Sequence, residues 1–176
     1  MKKIFYLVVF CLSVFLFGQQ TSLQINNYSI YDYHGVIIAT DPNNCSRQVS
    51  NTYYPTPPYQ ELIVGAGVMG NIGLYSSGNY VPYWDVVSSA TNPLVIRYYT
   101  HPQIAALGVI SQNTNWSHSK FEMCYAGTNN HVIGTQVNLS PGTSPCSTAD
   151  SYFSNPSIPY EVEWFEIGGY SYIQIY

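Results

Sequence analysis

Charge is what this sequence has least of. Only 8% of its residues are Asp, Glu, Lys or Arg, against about 25% in an ordinary soluble domain. Cations are the scarcest: beyond the first eighteen residues there remain only Arg47, Arg97 and Lys120, facing nine carboxylates for a net charge of −6. Three cations cannot neutralise a run of phosphates, which argues against nucleic acid and anionic membranes as partners. Helical periodicity is nearly missing, and 11 prolines and 13 glycines interrupt the chain at short intervals, so a helical core is not expected. No Cys-x-x-Cys and no paired His spacing occurs, which leaves no recognisable zinc site. No apolar run after the first eighteen residues approaches the roughly 20 needed for a spanning helix.

The chain opens on an export signal. Lys2 and Lys3 precede the apolar run Ile4 to Phe17, Gly18 is small, and Gln19-Gln20-Thr21 turns polar. Cationic start, apolar core and small residue at the cut are the three parts of a secretory signal peptide, here residues 1–18. The remainder, 19–176, has the size of one domain with a real core. Cysteine usage agrees with export. Cys45, Cys124 and Cys146 allow three single disulfides with one thiol left over. Cys45 and Cys146 lie in loop-like sequence and Cys124 in a strand pattern, which favours the pair Cys45–Cys146.

Polarity comes from Asn, Ser, Thr and Gln, and the 18 tyrosines with Val, Ile and Thr point to strands. Strands are expected near 21–31, 34–40, 61–68, 94–100, 106–111, 119–126, 131–139, 160–167 and 170–176. Two hairpins can be argued residue by residue. Gly168-Gly169 is a two-residue turn signal. It sets Ile167 against Tyr170, Phe165 against Tyr172, Trp164 against Ile173 and Val162 against Ile175. Val162, Trp164, Ile173 and Ile175 then share one face, and Glu161, Glu163 and Gln174 the other. A second hairpin, with a loop at Thr128 to Asn130, sets Tyr125 against Ile133, Met123 against Thr135 and Phe121 against Val137. Two-faced hairpins imply antiparallel sheets packed on one another. The expected fold is an all-β antiparallel sandwich of about 7–9 strands. An eight-stranded outer-membrane barrel is the alternative, from length, tyrosine content and the aromatic C-terminal residue.

Four groups of residues invite a chemical reading. Gly65-Ala66-Gly67-Val68-Met69-Gly70 matches G-x-G-x-x-G, with Asp85 twenty residues beyond Gly65. A dinucleotide site needs a helix to begin at that loop, and Gly73, Gly78 and Pro82 interrupt the stretch where it would run, so a bent strand or bulge is expected. Glu161-Val162-Glu163-Trp164-Phe165-Glu166 resembles the E-x-D-x-x-E strand of the laminarinase-like β-jelly-roll glycosidases over six residues, with Glu in place of the central Asp. That resemblance implies a nucleophilic carboxylate and an acid; Glu161 and Glu163 share a strand face, and only a bulge brings Glu166 to join them. Asp32 and His34 also share a face, whereas His101, His118 and His131 stand alone, with no Ser or Cys elbow nearby. Finally, Tyr53, Tyr54 and Tyr59 flank Pro55-Thr56-Pro57-Pro58, and Trp84 and Trp116 lie in Asn/Ser-rich or Pro-punctuated sequence. Rigid aromatic rings on loops are what binding surfaces use.

These residues predict an exported, non-catalytic binding or assembly module, acting through Tyr53, Tyr54, Tyr59, Trp84 and Trp116 on a glycan, a cell-surface protein or a second copy of itself. No catalytic, cofactor or metal residues are assigned. A small outer-membrane barrel and a secreted glycoside hydrolase built on Glu161 to Glu166 are the alternatives.

Overall fold

A computed structural model of the chain describes residues 21–51, 61–78, 80–132 and 136–176. The expected signal peptide and the tyrosines Tyr53, Tyr54 and Tyr59 lie outside the described residues. Among the described residues twelve strands form two sheets: β1 Ser22–Asn27, β2 Tyr31–Asp41, β3 Asn44–Asn51, β4 Leu62–Val64, β5 Met69–Gly73, β6 Tyr83–Val87, β7 Val95–Tyr98, β8 Asn115–Tyr125, β9 Val137–Leu139, β10 Tyr152–Phe153, β11 Val162–Ile167 and β12 Tyr170–Ile175. One sheet has the order β10-β11-β12-β1-β5. The other runs β7-β6-β3-β2-β8-β9, with β4 also pairing with β2. Among the described residues the two sheets do not close into one barrel, which corrects the barrel alternative; the all-β, two-sheet expectation holds.

The core lies between the sheets. The five-stranded sheet contributes Leu23, Ile25, Ile72, Val162, Trp164, Ile173 and Ile175, and the seven-stranded sheet Tyr33, Ile37, Val49, Trp84, Val86, Trp116, Phe121 and Met123. Alternation along each strand produces this, since successive side chains point to opposite faces. Tyr33 stacks on Phe121 with ring centroids 4.9 Å apart, and its hydroxyl bonds Ser119 at 2.8 Å. Gly35 makes room for that ring, because a Cβ there would stand 2.5 Å from it.

The C-terminal hairpin has the expected register throughout, Val162 with Ile175 through Ile167 with Tyr170. Gly168 and Gly169 take φ of 59° and 79°, the two positive values a type I′ turn requires. The second hairpin is partly different. Phe121 faces Val137 as expected, but Cys124 bridges His131 and the Tyr125 amide donates to the Asn130 carbonyl. Tyr125 thus lies against Asn130, and the Val132 amide donates to the Met123 carbonyl; the expected partners Ile133 and Thr135 lie outside the described residues.

Other expectations are corrected. Residues 106–111 form turns, not a strand: Ile104 and Ile110 point into the core while Leu107 is 67% exposed, with φ of 67°. Residues 61–68 make only the short β4; the chain then crosses to the other sheet as β5. Strands β3, β5, β6 and β10 lie where the sequence predicts none. Antiparallel pairing is also not universal, because β1 runs parallel to β12, Ser22 beside Tyr170 and Asn27 beside Ile175. That pairing puts the last strand in the middle of its sheet.

Buried polar side chains hold the loops. Asn27 donates to the carbonyls of Tyr31, Val64 and Gly65 at 2.6–3.1 Å. Asp32 accepts from the Ala66 amide at 2.8 Å and the Gly127 amide at 2.7 Å. A disulfide joins Cys45 to Cys146, Cα atoms 5.3 Å apart, the expected pair, although Cys45 lies in β3 and only Cys146 in a loop; Cys124 is free and buried.

Candidate binding surface

The outer face of the five-stranded sheet gathers aromatic rings and amides. Its residues follow from register: with Val162, Trp164, Ile173 and Ile175 inward, the alternate positions of β11 and β12 point out. One row across the sheet reads Phe165, Tyr172, Gln24, Asn71, and the next Glu163, Gln174, Asn26, Met69. Phe165 and Tyr172 stack at 5.3 Å with planes 20° apart, and Tyr170 follows at 6.2 Å from Tyr172. Tyr28 stacks on Tyr176 at the far end, 5.9 Å away. The Phe165 and Tyr172 faces are turned to each other, so that pair offers solvent its ring edges.

The carboxylates of this face are already engaged. Tyr152 and Ser154 donate to the two oxygens of Glu161 at 2.8 and 3.0 Å. The Tyr176 hydroxyl donates to Glu163 at 2.7 Å and also meets Gln174 Oε1. The hydrogen bond to Glu163 is the main cause that pushes the Tyr176 pKa up to about 12. No bulge interrupts β11 and β12, so Glu166 stays on the opposite side from Glu161 and Glu163, where Thr143 donates to it at 3.0 Å. The three carboxylates that resemble the glycosidase strand do not converge.

Of the aromatic residues singled out in the sequence, Trp84 and Trp116 are inside. Each is 1% exposed. They occupy inward positions of β6 and β8, 6.0 Å apart, with Tyr75 against both. Neither ring is open for stacking on a ligand, a correction whose cause is strand parity. The polar neighbours that made these tryptophans look loop-borne are the outward half of two strands.

The glycine-rich stretch links β4 to β5. The Gly67 amide donates to the Ser29 carbonyl and the Asn27 amide to that of Val68, and the chain continues as strand, without the helix a pyrophosphate needs. Asp32 is consumed by two loop amides, and His34 lies 3.5 Å from Glu61, so Asp32 and His34 do not act on each other.

A groove of about 190 Å³ on the outer face of the seven-stranded sheet contains His34, Glu61, Lys120, Glu122, Cys124 and His131. Its Cys and His do not make a nucleophile. Glu122 Oε2 and Cys124 Sγ approach the same ring nitrogen, Nδ1 of His131, at 2.7 and 3.8 Å, whereas a relay uses one nitrogen for each partner. Burial raises the Cys124 pKa, as do Glu122, Glu61 and Asp32, and a neutral thiol attacks poorly. His118, farther along β8, has its pKa lowered by burial and by Lys120.

The aromatic face was half legible in sequence. Phe165, Tyr172 and Gln174 share a side as soon as the glycine turn fixes the register. Gln24 and Asn71 join them only through the parallel pairing of β1, which no local signal announces. The chain matches no protein-family model, no curated protein and no solved structure.

Proposed function

We propose that this chain is an exported, non-catalytic binding module whose contact surface is the outer face of the five-stranded sheet, and that its partner is a neutral, hydroxyl-rich glycan. The observation that carries the reading is the row Phe165, Tyr172, Gln24, Asn71 beside carboxylates already satisfied by tyrosine and serine hydroxyls. Ring edges, phenol hydroxyls and amides both donate and accept, as sugar hydroxyls do. Among the described residues no Lys or Arg stands on this face to draw an anion. Ring stacking on a sugar is not needed, because the ligand lies along ring edges. The amino-terminal sequence and the disulfide fit an oxidising, exported setting.

The test is binding of the mature protein to insoluble neutral polysaccharides and to a glycan array. Tyr172→Ala and Gln24→Ala are expected to weaken retention by about tenfold each, since a lost hydrogen bond or ring contact contributes about 1–1.5 kcal/mol. Silence on every neutral glycan, with ladders of oligomers on native gels, would replace the glycan by a second copy of the chain.

A further inference from the structure

At the opposite side of the core from the Asn27 loops, where the disulfide holds the 143–146 segment, lies a cavity of about 160 Å³. It is built from both sheets. Thr40, Asn115 and Trp116 come from the seven-stranded sheet, Glu166 from the five-stranded one, and Thr143 and Ser144 from the disulfide-bound loop. The Thr143 hydroxyl fixes Glu166 by donating to Oε2 at 3.0 Å, and the Ser144 hydroxyl accepts from the Cys146 amide at 3.3 Å. Thr21 and Trp116 also border the cavity; their Oγ1 and Nε1 atoms are themselves buried, without a protein partner and out of direct reach of a molecule in it.

We propose that this cavity is a second, independent binding site, for a single neutral sugar ring. Among the described residues Glu166 carries the only formal charge in the lining, which disfavours an anionic ligand. The hydroxyls of Thr40, Thr143 and Ser144 and the Asn115 amide can match a ring of hydroxyls in both hydrogen-bonding directions. Glu166 accepts from the ligand with the strength of a charged acceptor. The volume limits occupancy to one small ring, since sites for drug-sized ligands span about 300–1,000 Å³. Size and chemistry therefore separate this site from the open face proposed above, which suits a polymer.

Titration calorimetry and ligand-observed NMR of the mature protein with neutral hexoses, pentoses and N-acetylhexosamines test it, with a uronic acid and a primary amine as contrasts. A neutral monosaccharide is expected to bind and to change tryptophan fluorescence, and Trp116→Phe is expected to remove that change. Glu166→Gln should weaken binding by about tenfold or more, as expected for a lost charged hydrogen bond, and Thr143→Val by less. Should Glu166→Gln fail to fold, Thr143→Val carries the same test. Tyr172→Ala, on the sheet face, should leave monosaccharide binding unchanged. No binding by any neutral sugar, tighter binding of the amine, or equal loss in Tyr172→Ala would each overturn the site. Polysaccharide retention is scored separately, so either site can fail without the other.

Discussion

Between the stretch of β2 that pairs with β3 and the stretch that pairs with β4, two backbone groups of β2 are met by a side chain among the described residues. Asn51 supplies this rung. Its Oδ1 accepts from the Ile37 amide at 2.6 Å and its Nδ2 donates to the Gly35 carbonyl at 3.0 Å, with the side chain 1% exposed. An amide is the one neutral side chain that donates and accepts in the geometry of a peptide bond. Asn51→Ala therefore leaves an N–H and a C=O buried without partners, at about 1–3 kcal/mol each. We expect urea unfolding to show a loss of about 2–5 kcal/mol, whereas Asn44→Ala, at an exposed position, should stay within about 0.5 kcal/mol. Equal midpoints for the two variants would show that the Asn51 rung does not stabilise β2.

Elements tell how local each structural signal is. The β11–β12 turn needs two residues with positive φ, and Gly168 and Gly169 provide them. Gly169→Val puts a β-branched side chain in the left-handed region, at a cost of about 1–2 kcal/mol or more, while Gly168→Asn should be nearly neutral because Asn tolerates that region. Chemical denaturation of the two variants checks the contrast; similar losses in both would mean that the turn does not set the register. This hairpin was readable because turn chemistry and alternation agree over adjacent residues. β3, with the sequence NCSRQVSN, was not: its outward positions are polar, and only Val49 and Asn51 are buried, so no apolar alternation marks it. Leu107 and Val109 misled in the other sense, since apolar residues there stand in solvent while Ile104 and Ile110 provide the burial. The tryptophans show why the site was harder to read than the fold. Trp84 and Trp116 sit among polar neighbours in sequence, yet parity on β6 and β8 turns both rings inward, and parity is known only once a strand has been placed.

For the whole molecule, the decisive contacts join distant parts of the chain. β12 is flanked by β11 and by β1, so the five-stranded sheet cannot be completed until the last residues meet the first strand. Pairing over such a span is entropically costly and slow to form. The disulfide works against that cost at the other end of the structure. It ties the start of β3 to the 143–146 segment across a sequence separation of 101 residues, and that segment reaches the five-stranded sheet through Thr143 and Glu166. Closing a loop of that length removes enough freedom from the unfolded chain to be equivalent to about 4–5 kcal/mol, against a typical total of about 5–15. We therefore expect Cys45→Ser/Cys146→Ser to unfold at markedly lower urea than the oxidised protein, and reductant to shift the native protein toward the same midpoint while leaving the double variant unmoved. A native protein insensitive to reductant would mean that the buried core and the side-chain rungs hold both sheets together without the cross-link. The end cavity gives this a functional side: its Thr143 and Ser144 wall is positioned by Cys146, so sugar binding there should fall in the reduced protein under conditions where the core is still folded.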